Sequence, residues 1–535
     1  MDLWNAIGTW NPQLLRELKH RLKGHYLWLA LGVSLFAQMA ILLFFSGQLP
    51  DSLELKPDQS GMVWHYYCTG QTQEEYGYSF PCLRDNFGQI VIDFPRWWQD
   101  IYMALTRIVP VLPLVGGVYL LIADLAKEKQ RGTLDFLRIS PQTSQKILLG
   151  KLIGIPILLY GLMLTMLPLH LYAALQAQLP ILHPLFVYIG LLATWGILAS
   201  LGMVYGLTKG AQAWLGAGLT FPLSILVGSW LTWDYQYEWR DPSVVYWFDL
   251  PITSTSLMGL GVIVAQAGVA IYWIWQILSR RFYSPSLTVI SKPQSYGMMA
   301  CCQLGLLGYS WSRLLGIPAY ERYQVQNILG FYTFFNLLLS LLLIAAVSPG
   351  RQALLDWARY RQRVGSWSRI GQDLLWSEKS PAYLAVAINL LIASGIWLPC
   401  ILLTSDPDIR FWGVAGLALN SSLILIYGLL VQWILLQQLQ HAWLGAGAAV
   451  AAALTLPPLL LWLWLGSTPE PMAWVLLLIY GASAGLAHSE PVGWITILGV
   501  MLGQMGLVLV LLAGLNRSLR QAGASESQLW LAQAR

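Results

Sequence analysis

Charged residues are scarce in this chain. Asp, Glu, Lys and Arg make up 11% of the 535 residues, whereas a soluble domain carries about 25%. Hydrophobic residues make up 56%. This composition excludes an ordinary soluble protein and predicts an integral membrane protein that contacts the lipid bilayer. The formal net charge of +5 is spread between apolar segments, so the charge pattern gives no indication of a nucleic-acid partner.

Cysteine is also rare, with five in the whole chain. Cys68 and Cys82 lie in a polar segment, residues 48–99, that we predict to be a long external loop. They could form a disulfide if the loop faces an oxidising space, and two unpaired thiols are an equally open alternative. The other three cysteines lie in predicted spans, where packing is the usual role of this residue.

Two kinds of chemical motif are missing. The nucleotide-binding pattern G-x-x-x-x-G-K-[ST] does not occur, since LLGKLIG at 148–154 has neither a glycine-rich lead nor a hydroxyl residue after Lys151. His170, His183 and His488 each lack a second metal ligand three or four residues away. We therefore predict no catalytic residue, no cofactor and no metal in this chain, and a membrane enzyme is the less favoured class.

Long apolar segments are what the sequence has instead. A membrane-spanning helix needs about 20 mostly apolar residues. Twelve segments meet this need and predict an all-α polytopic fold. They are residues 26–46, 101–123, 147–174, 184–207, 213–232, 255–279, 297–317, 331–347, 384–404, 411–436, 443–466 and 492–515. A shorter apolar piece, 472–487, is flanked by prolines and predicts an external helical hairpin over 467–491.

Lysine and arginine indicate the orientation, because cytoplasmic loops are enriched in both. With twelve spans and a cytoplasmic N-terminus, 23 of the 31 lysines and arginines fall on the cytoplasmic side. Segment 297–317 is the weakest span because it contains Arg313. Without that span, the arginine-rich connector 348–383 would lie outside. We therefore expect both termini in the cytoplasm and the protein in the cytoplasmic (inner) membrane of a bacterium.

The chain carries an internal repeat. AWLGAG occurs at 213–218 and at 442–447, each time at the start of a predicted span. Ser-Pro occurs at 140–141 and 380–381, and an arginine-bearing exit occurs in LSRRF and again in LNRSL. These landmarks recur in the same order at nearly one offset, which predicts two parallel six-span halves. Chance recurrence of small apolar words is the alternative.

The connector between the second and third predicted spans is KEKQRGTLDFLRISPQTSQKILLGKL, residues 127–152. Gly132 interrupts the preceding helix, and Thr133 is predicted to cap a short new helix that Ser140-Pro141 ends. The short helix has an apolar face made of Leu134, Phe136, Leu137 and Ile139. A solvated polar loop is the alternative. The order of the residues favours a helix at the membrane surface to which a cytoplasmic partner could bind.

This order of residues resembles the signature region of ABC-2 type transporter permeases, the membrane subunits of ATP-driven, mostly exporting transporters. The shared pattern is an acidic residue, three further residues, Gly-Thr-Leu, then Ser-Pro and Gly-Lys. SRRFYSPSLTVISKPQSY, at 279–296, looks like the tail that follows the sixth span in single-chain relatives. In the second half, DLLWSEKSPAYLAVAINLL at 373–391 keeps an acid and Ser-Pro but lacks Gly-Thr-Leu.

The N-terminal stretch NPQLLRELKHRLK, residues 11–23, is similar to the interfacial helix of the same family. Its leucines Leu14, Leu18 and Leu22 face one way, and Arg16 faces solvent or lipid headgroups. The whole predicted organisation is then an interfacial helix at 1–24, a first half at 25–281 with its coupling segment at 124–146, a linker at 282–296, a second half at 297–516, and a cytoplasmic tail at 517–535.

The resemblance implies a double-length permease with the transport pathway between its halves. ATP and magnesium would be bound by a separate ATPase subunit, in two copies for one copy of this chain. The contact with that subunit would involve Asp373 and Glu378, within 369–381 of the second half. In the first half the contact residues would be Glu128, Gly132, Thr133, Leu134 and Leu137.

The expected function is therefore transport, with export of a lipidic, amphipathic or polymeric substrate. Asn389 and Asn420 could line the pathway, although polar residues in spans just as often hold helices together. The alternative function is a non-transporting scaffold or assembly factor that keeps the permease fold, since fold alone does not fix function. Binding of an ATPase to the 124–141 segment would separate the two functions.

Overall fold

The computed structural model describes residues 3–50, 64–70, 80–87, 89–208, 212–237, 245–252, 257–285, 287–315, 322–363, 367–404, 406–465 and 494–523. Most of these residues are helical. The chain divides into two compact units: the first is Met1–Val244 with Pro251–Tyr283, and the second is Val245–Leu250 with Ser284–Arg535. The sequence predicts the end of the first half at residue 281, and the division falls after Tyr283.

The first unit starts with two short helices and continues with longer ones. Its helices are α1 Leu3–Trp10, α2 Pro12–Arg21, α3 Gly24–Ser46, α4 Phe94–Ile108, α5 Val118–Gln130, α6 Thr133–Ile139, α7 Ser144–Gly154, α8 Ile157–Gln176, α9 Leu182–Thr208, α10 Ala213–Tyr237 and α11 Leu257–Tyr283. A π-helical turn at Leu112–Gly117 lies between α4 and α5. Prolines at 110 and 113 have no N–H to donate, and the wider turn accommodates them within an otherwise helical run.

The second unit is also helical. Its helices are α12 Lys292–Leu315, α13 Arg322–Val347, α14 Arg351–Arg363, α15 Trp367–Trp376, α16 Tyr383–Leu403, α17 Pro407–Leu436, α18 Ala442–Leu465 and α19 Trp494–Gly523. The two copies of AWLGAG open α10 and α18, and the two Ser-Pro pairs shortly precede α7 and α16. Short strands complete the described structure: β1 Trp64–His65, β2 Phe80–Pro81, β3 Val245–Trp247 and β4 Leu250–Ile252.

Ten helices in the described part of the chain are long and apolar enough to cross a membrane. They are Gly24–Ser46, Phe94–Gln130, Ile157–Gln176, Leu182–Thr208, Ala213–Thr232, Leu257–Tyr283, Ile328–Val347, Tyr383–Leu403, Pro407–Leu436 and Ile497–Gly523. The protein is therefore a helical, multi-pass membrane protein.

The count of twelve spans stays a prediction. The predicted span 297–317 falls on α12, which is not among the ten. The predicted span 443–466 falls on α18, of which Ala442–Leu456 counts as a shorter apolar helix. The predicted hairpin at 467–491 lies outside the described residues.

The predicted span 147–174 is not one continuous helix. It is divided between α7 and α8, and Pro156 lies at the break. Proline cannot donate the helical hydrogen bond, and its ring clashes with the carbonyl four residues earlier. One candidate span, Ile157–Gln176, lies in this region, and the break sets α7 apart as a separate helix beside the coupling segment.

Each unit packs around its own buried side chains. In the first unit Ile101, Leu121, Leu148 and Leu278 belong to one large apolar core. In the second unit the Trp397 ring lies 3.9 Å from the Tyr332 ring, centroid to centroid, within a smaller core. Many other apolar side chains on the spans remain exposed, as expected where lipid replaces protein as the neighbour.

The polar segment before α4 is a small covalently closed structure in its described parts. Strands β1 and β2 pair antiparallel, and Cys68 and Cys82 form a disulfide. The segment is attached to the spans, because Asp93 caps the start of α4 and the Trp97 indole N–H donates to the Phe45 carbonyl at 2.8 Å. Of the two states that the sequence left open for Cys68 and Cys82, the structure contains the bonded one.

Candidate functional site

The helix α6 occupies the segment in which the sequence predicts a short coupling helix. Gly132 precedes it with φ of +71°, a left-handed conformation that glycine adopts readily and other residues rarely. Thr133 is the first helical residue, and its hydroxyl donates to the Glu128 carbonyl at 3.2 Å. The prediction that Thr133 caps this helix was therefore wrong, because Gly132 holds the cap position. The helix ends at Ser140, which is extended before Pro141 as expected.

The predicted apolar face of α6 is divided between the protein interior and the surface. Leu134 is buried, and Leu137 is half-buried and packs against the core of the first unit. Phe136 and Ile139 point outward and are 77% and 83% exposed. One side of the helix therefore anchors it, and the other side presents two large apolar side chains.

The C-terminal end of α6 and the residues after it are hydrogen-bonded to α11. The Arg138 guanidinium donates to the Phe282 carbonyl at 2.6 Å, at the end of α11. Just beyond α6, the Ser144 N–H donates to the Tyr283 hydroxyl at 2.9 Å. Thr143 caps α7, and its hydroxyl accepts from the Lys146 N–H. These bonds hold α6 in a fixed position relative to the spans on either side.

Directly beside α6 lies a buried group of charges, which we call the ion cluster: Glu17 of α2, Asp124 and Glu128 of α5, and Lys151 of α7. Lys151 has no exposed surface. Its ammonium nitrogen lies 2.7 Å from an Asp124 oxygen, 2.8 Å from a Glu128 oxygen and 3.9 Å from a Glu17 oxygen. Burying an ammonium is costly unless opposite charges or hydrogen-bond acceptors compensate it, and here carboxylates do so.

Two arginines of α2 complete the charge balance at the rim of the ion cluster. Arg16 lies 3.0 Å from Glu128, and Arg21 lies 3.2 Å from Asp124. Three bases thus face three acids. The three carboxylates are close enough together to hold a metal ion, but the Lys151 ammonium already lies among them. The ion pairs therefore connect the three helices α2, α5 and α7.

Small residues on α7 let α2 approach it closely. A Cβ added at Gly150 would lie 2.8 Å from the Asn11 side-chain oxygen, and one at Gly154 would lie 2.5 Å from the Glu17 Cβ. Asn11 caps α2 by accepting from the Leu14 N–H at 3.0 Å, and its amide donates to the Lys146 carbonyl at 2.7 Å. The helix α2 is thus packed on protein.

This packing shows what covers the predicted apolar face of the N-terminal helix. Leu14 and Leu18 are buried within the protein. Leu22 follows the end of α2 and is half-buried. Arg16 is exposed, as predicted, but it also pairs with Glu128. The amphipathic pattern was correct, and the surface that covers its apolar face is α7.

The second unit contains a different buried lysine at the corresponding connector. Lys292, the first residue of α12, has no exposed surface. Its ammonium donates to the Ser380 hydroxyl at 2.6 Å and to the carbonyls of Leu374 and Pro381 at 2.7 and 3.0 Å. Burial lowers the pKa of Lys292 to about 7, and the nearby Asp373 carboxylate opposes this shift only in part.

The predicted contact residues of the second half lie near this lysine. Ser380 donates to the Asp373 carbonyl at 2.6 Å, so the Ser-Pro pair closes the turn between α15 and α16. The Asp373 and Glu378 side chains are half-buried. Lys292 could not be singled out from the sequence, because two of its three hydrogen-bond partners are backbone carbonyls, which any sequence provides.

The predicted pathway residues hold helices together. Asn420 is buried, accepts from the Asn336 amide at 2.7 Å and donates to the Thr333 carbonyl at 3.3 Å. Asn389 is buried and donates to the Ser295 hydroxyl at 3.1 Å. Interhelical hydrogen bonding is one of the two roles that the sequence left open for these residues, and a place on a pathway stays a prediction.

Two of the three histidines considered in the sequence, His170 and His183, lie in the described part of the chain. His183 meets the Tyr102 hydroxyl at 2.9 Å, and His170 meets the Thr106 hydroxyl at 2.9 Å, so the partners are hydroxyls of neighbouring helices. His488 lies outside the described residues. So does GASAG at 481–485, which matches the G-x-S-x-G pattern of serine hydrolases; that pattern needs a strand–turn–helix context to have meaning.

Comparison with protein-family models, with curated proteins and with solved structures finds no match for this chain. The resemblance to ABC-2 permeases therefore rests on the motifs quoted above. The chemistry of the candidate site is ion pairing and hydrogen bonding around α6, which suits the transmission of movement.

Proposed function

We propose that the chain is the membrane subunit of an ATP-driven transporter of the ABC-2 type, with two parallel six-span halves and both termini in the bacterial cytoplasm. ATP and magnesium belong to a separate ATPase subunit, present in two copies. The substrate is lipidic, amphipathic or polymeric, and it is exported. The observation that carries this proposal is the geometry of α6, a short helix that is fixed on one side and apolar on the other.

The exposed side of α6 is suited to a protein partner. Phe136 and Ile139 are both more than three-quarters exposed and lie on one short helix. Asp135 and Arg138 pair with each other on the same helix, with 2.5 Å between them. Aromatic and aliphatic anchors with polar neighbours are typical of the energetically important centres of protein interfaces. These side chains follow directly from the Gly-Thr-Leu motif that carries the family resemblance.

The fixed side of α6 gives a route for movement. Thr133 is bonded to Glu128, which is paired with Lys151 of α7 and Arg16 of α2. A partner that displaces α6 would therefore displace the ends of α5 and α7 together, and α2 with them. We infer that the ion cluster transmits a movement of α6 to the spans.

The test uses the exposed side chains, since charge reversal at Glu128 would also break the ion cluster. The variants are Phe136→Asp and Ile139→Asp, each purified in a gentle detergent and analysed for captured proteins by mass spectrometry. We expect the wild type to retain an ATPase subunit and both variants to lose it, with the membrane subunit still monodisperse. Leu439→Asp, at an exposed apolar residue between α17 and α18, is the matched control and should retain the ATPase.

The scaffold function has one observation in its favour. The second connector contains α15 and the Ser-Pro turn, but no counterpart of Gly132, Thr133 and Leu134. If the wild type captures another membrane complex and no ATPase, the scaffold function replaces the transporter proposal. If an ATPase is captured but neither α6 variant releases it, the coupling role of α6 is wrong while the transporter class stands.

A further inference from the structure

The first unit contains an apolar groove that the proposed function does not use. It has a volume of about 740 Å³ and runs between one face of α8 and the first part of α9. This volume is within the range of about 300–1,000 Å³ that is typical of small-molecule sites. Side chains at its edges, including Leu164, Leu175 and Leu192, are each more than 60% exposed. The groove is therefore open along the surface of two membrane-spanning helices.

The shape of the groove fits an extended chain. On α8 the wall follows a stripe from Tyr160 to Leu175, and the fifteen steps between them cover about 22 Å at a rise of about 1.5 Å per residue. On α9 the wall runs from Leu182 to Leu192, which covers about 15 Å by the same rise. One leaflet of a bilayer contributes about half of a hydrocarbon core of about 30 Å. The wall on α9 is thus about as long as one leaflet is deep, and the wall on α8 is somewhat longer.

The lining of the groove is almost entirely apolar. None of the described residues that line it is charged, and two of them, Tyr160 and Tyr188, have hydroxyls. The Tyr160 hydroxyl donates to the Leu152 carbonyl at 3.0 Å. The Tyr188 hydroxyl lies 2.7 Å from Nδ1 of the buried His170. Both hydroxyls therefore have partners inside the protein.

The hydrogen bonds around His170 define where the Tyr188 proton points. The Thr106 hydroxyl donates to the Tyr102 carbonyl at 2.9 Å, so its oxygen accepts from Nε2 of His170. Nδ1 of His170 is then the acceptor, and Tyr188 donates to it. The groove wall consequently offers no hydroxyl donor at Tyr188. An anionic headgroup would find no hydrogen-bond donor there, whereas an alkyl chain needs no hydrogen bond when it enters the groove.

We propose that this groove binds a single acyl chain of a membrane lipid, with the headgroup remaining at the membrane surface. The argument rests on three features: the position of the groove on two apolar spans, its length, and its uncharged lining. A concave site differs from the convex lipid-facing surface elsewhere because it contacts the chain on both sides, so the lipid exchanges more slowly. The inference is independent of the presence of an ATPase.

The test uses the purified full chain in vesicles of palmitoyl-oleoyl phosphatidylcholine containing a phosphatidylcholine analogue with a photoactivatable diazirine near the end of one acyl chain. After illumination, labelled peptides are quantified by mass spectrometry. We expect about tenfold more label on the groove side of α8 than on the exposed apolar face of α10 around Leu226, which corresponds to about 1.4 kcal/mol of preferred occupancy.

Variants that fill the groove give the decisive comparison. Leu171→Trp should lower labelling of the groove about tenfold, and Leu226→Trp, which lies outside the groove, should leave it unchanged. If Leu171→Trp is not monodisperse, Leu185→Trp fills the groove from the opposite wall and is measured in the same way. Equal labelling of the groove and the α10 face would overturn the proposal, and so would labelling that is insensitive to both variants. Cross-links between two copies of the chain at the groove, without lipid label, would assign it to a second copy and equally overturn the proposal.

Discussion

The two units each bury one lysine beside a connector, but they compensate its charge in different ways. In the first unit Lys151 is surrounded by carboxylates of Asp124 and Glu128, with Glu17 nearby. In the second unit Lys292 donates to a hydroxyl and two backbone carbonyls. Burial lowers the pKa of Lys292 to about 7, because oxygens without formal charge offset the lost hydration of an ammonium less than carboxylates do. The two lysines therefore differ in the kind of partner that stabilises them.

The largest expected effect comes from removing the first lysine. Lys151→Met would leave three acids without their buried counter-charge, and breaking a buried ion pair in this way costs about 3–5 kcal/mol. We expect the free energy of unfolding in mild detergent to fall by that amount, as measured by tryptophan fluorescence. Lys146→Met, at an exposed position on the same helix, should change it little. A Lys151→Met protein as stable as the Lys146→Met control would show that the ion cluster contributes nothing.

The second lysine should respond to pH. The pKa of Lys292 is about 7 in the folded protein, below its usual value of 10.5, so between these pH values the unfolded chain binds one more proton than the folded chain. The stability of the wild type should therefore rise with pH from about 7 to 10, by at most about 1.4 kcal/mol per pH unit.

Lys292→Gln isolates this contribution, since glutamine keeps an amide donor and does not titrate. The stability difference between the wild type and Lys292→Gln should change in favour of the wild type as pH rises from 7 to 9. Unfolding curves recorded at several pH values measure it. Parallel pH profiles for the two proteins would mean that Lys292 keeps its proton throughout, and the contrast between the two lysines would then be lost.

The smallest effect concerns the glycines of the two connectors. Gly132 has φ of +71°, so Gly132→Ala should cost about 1–2 kcal/mol, the penalty for an L-residue in the left-handed region. Gly371 lies inside α15, and nothing is within 4 Å of its added Cβ. Gly371→Ala should stabilise the protein by up to about 1 kcal/mol, because alanine is the better helix former. Thermal unfolding of both variants should give shifts of opposite sign. Shifts of the same sign would remove this distinction between the connectors.

Local chemistry explains which features of the coupling segment the sequence predicted. The break at Gly132 and the end of α6 at Ser-Pro each depend on one or two neighbouring residues, and both are found. The prediction for Thr133 was wrong because Gly132, in a left-handed conformation, occupies the cap position. Thr133 is therefore the first residue inside the helix.

Pairing over long sequence separations could not be predicted. Glu128 was predicted to contact a partner, and the structure pairs it with Lys151 and Arg16. An exposed acid and a buried paired acid look alike in a sequence, because the difference lies in which distant helix packs beside it. For the same reason the sequence indicated that the leucines of α2 face one way, but not that α7 covers them.

The sequence by itself determined that this is a multi-pass helical membrane protein, because about 20 apolar residues in a row satisfy their backbone only as a helix in lipid. It also determined the local breaks, through glycine and proline. Only the tertiary structure decided which charges meet at Lys151, which oxygens surround Lys292, and where α8 and α9 separate to leave a groove. These features depend on how helices pack, and packing is fixed by the fit of side chains that are far apart in the chain.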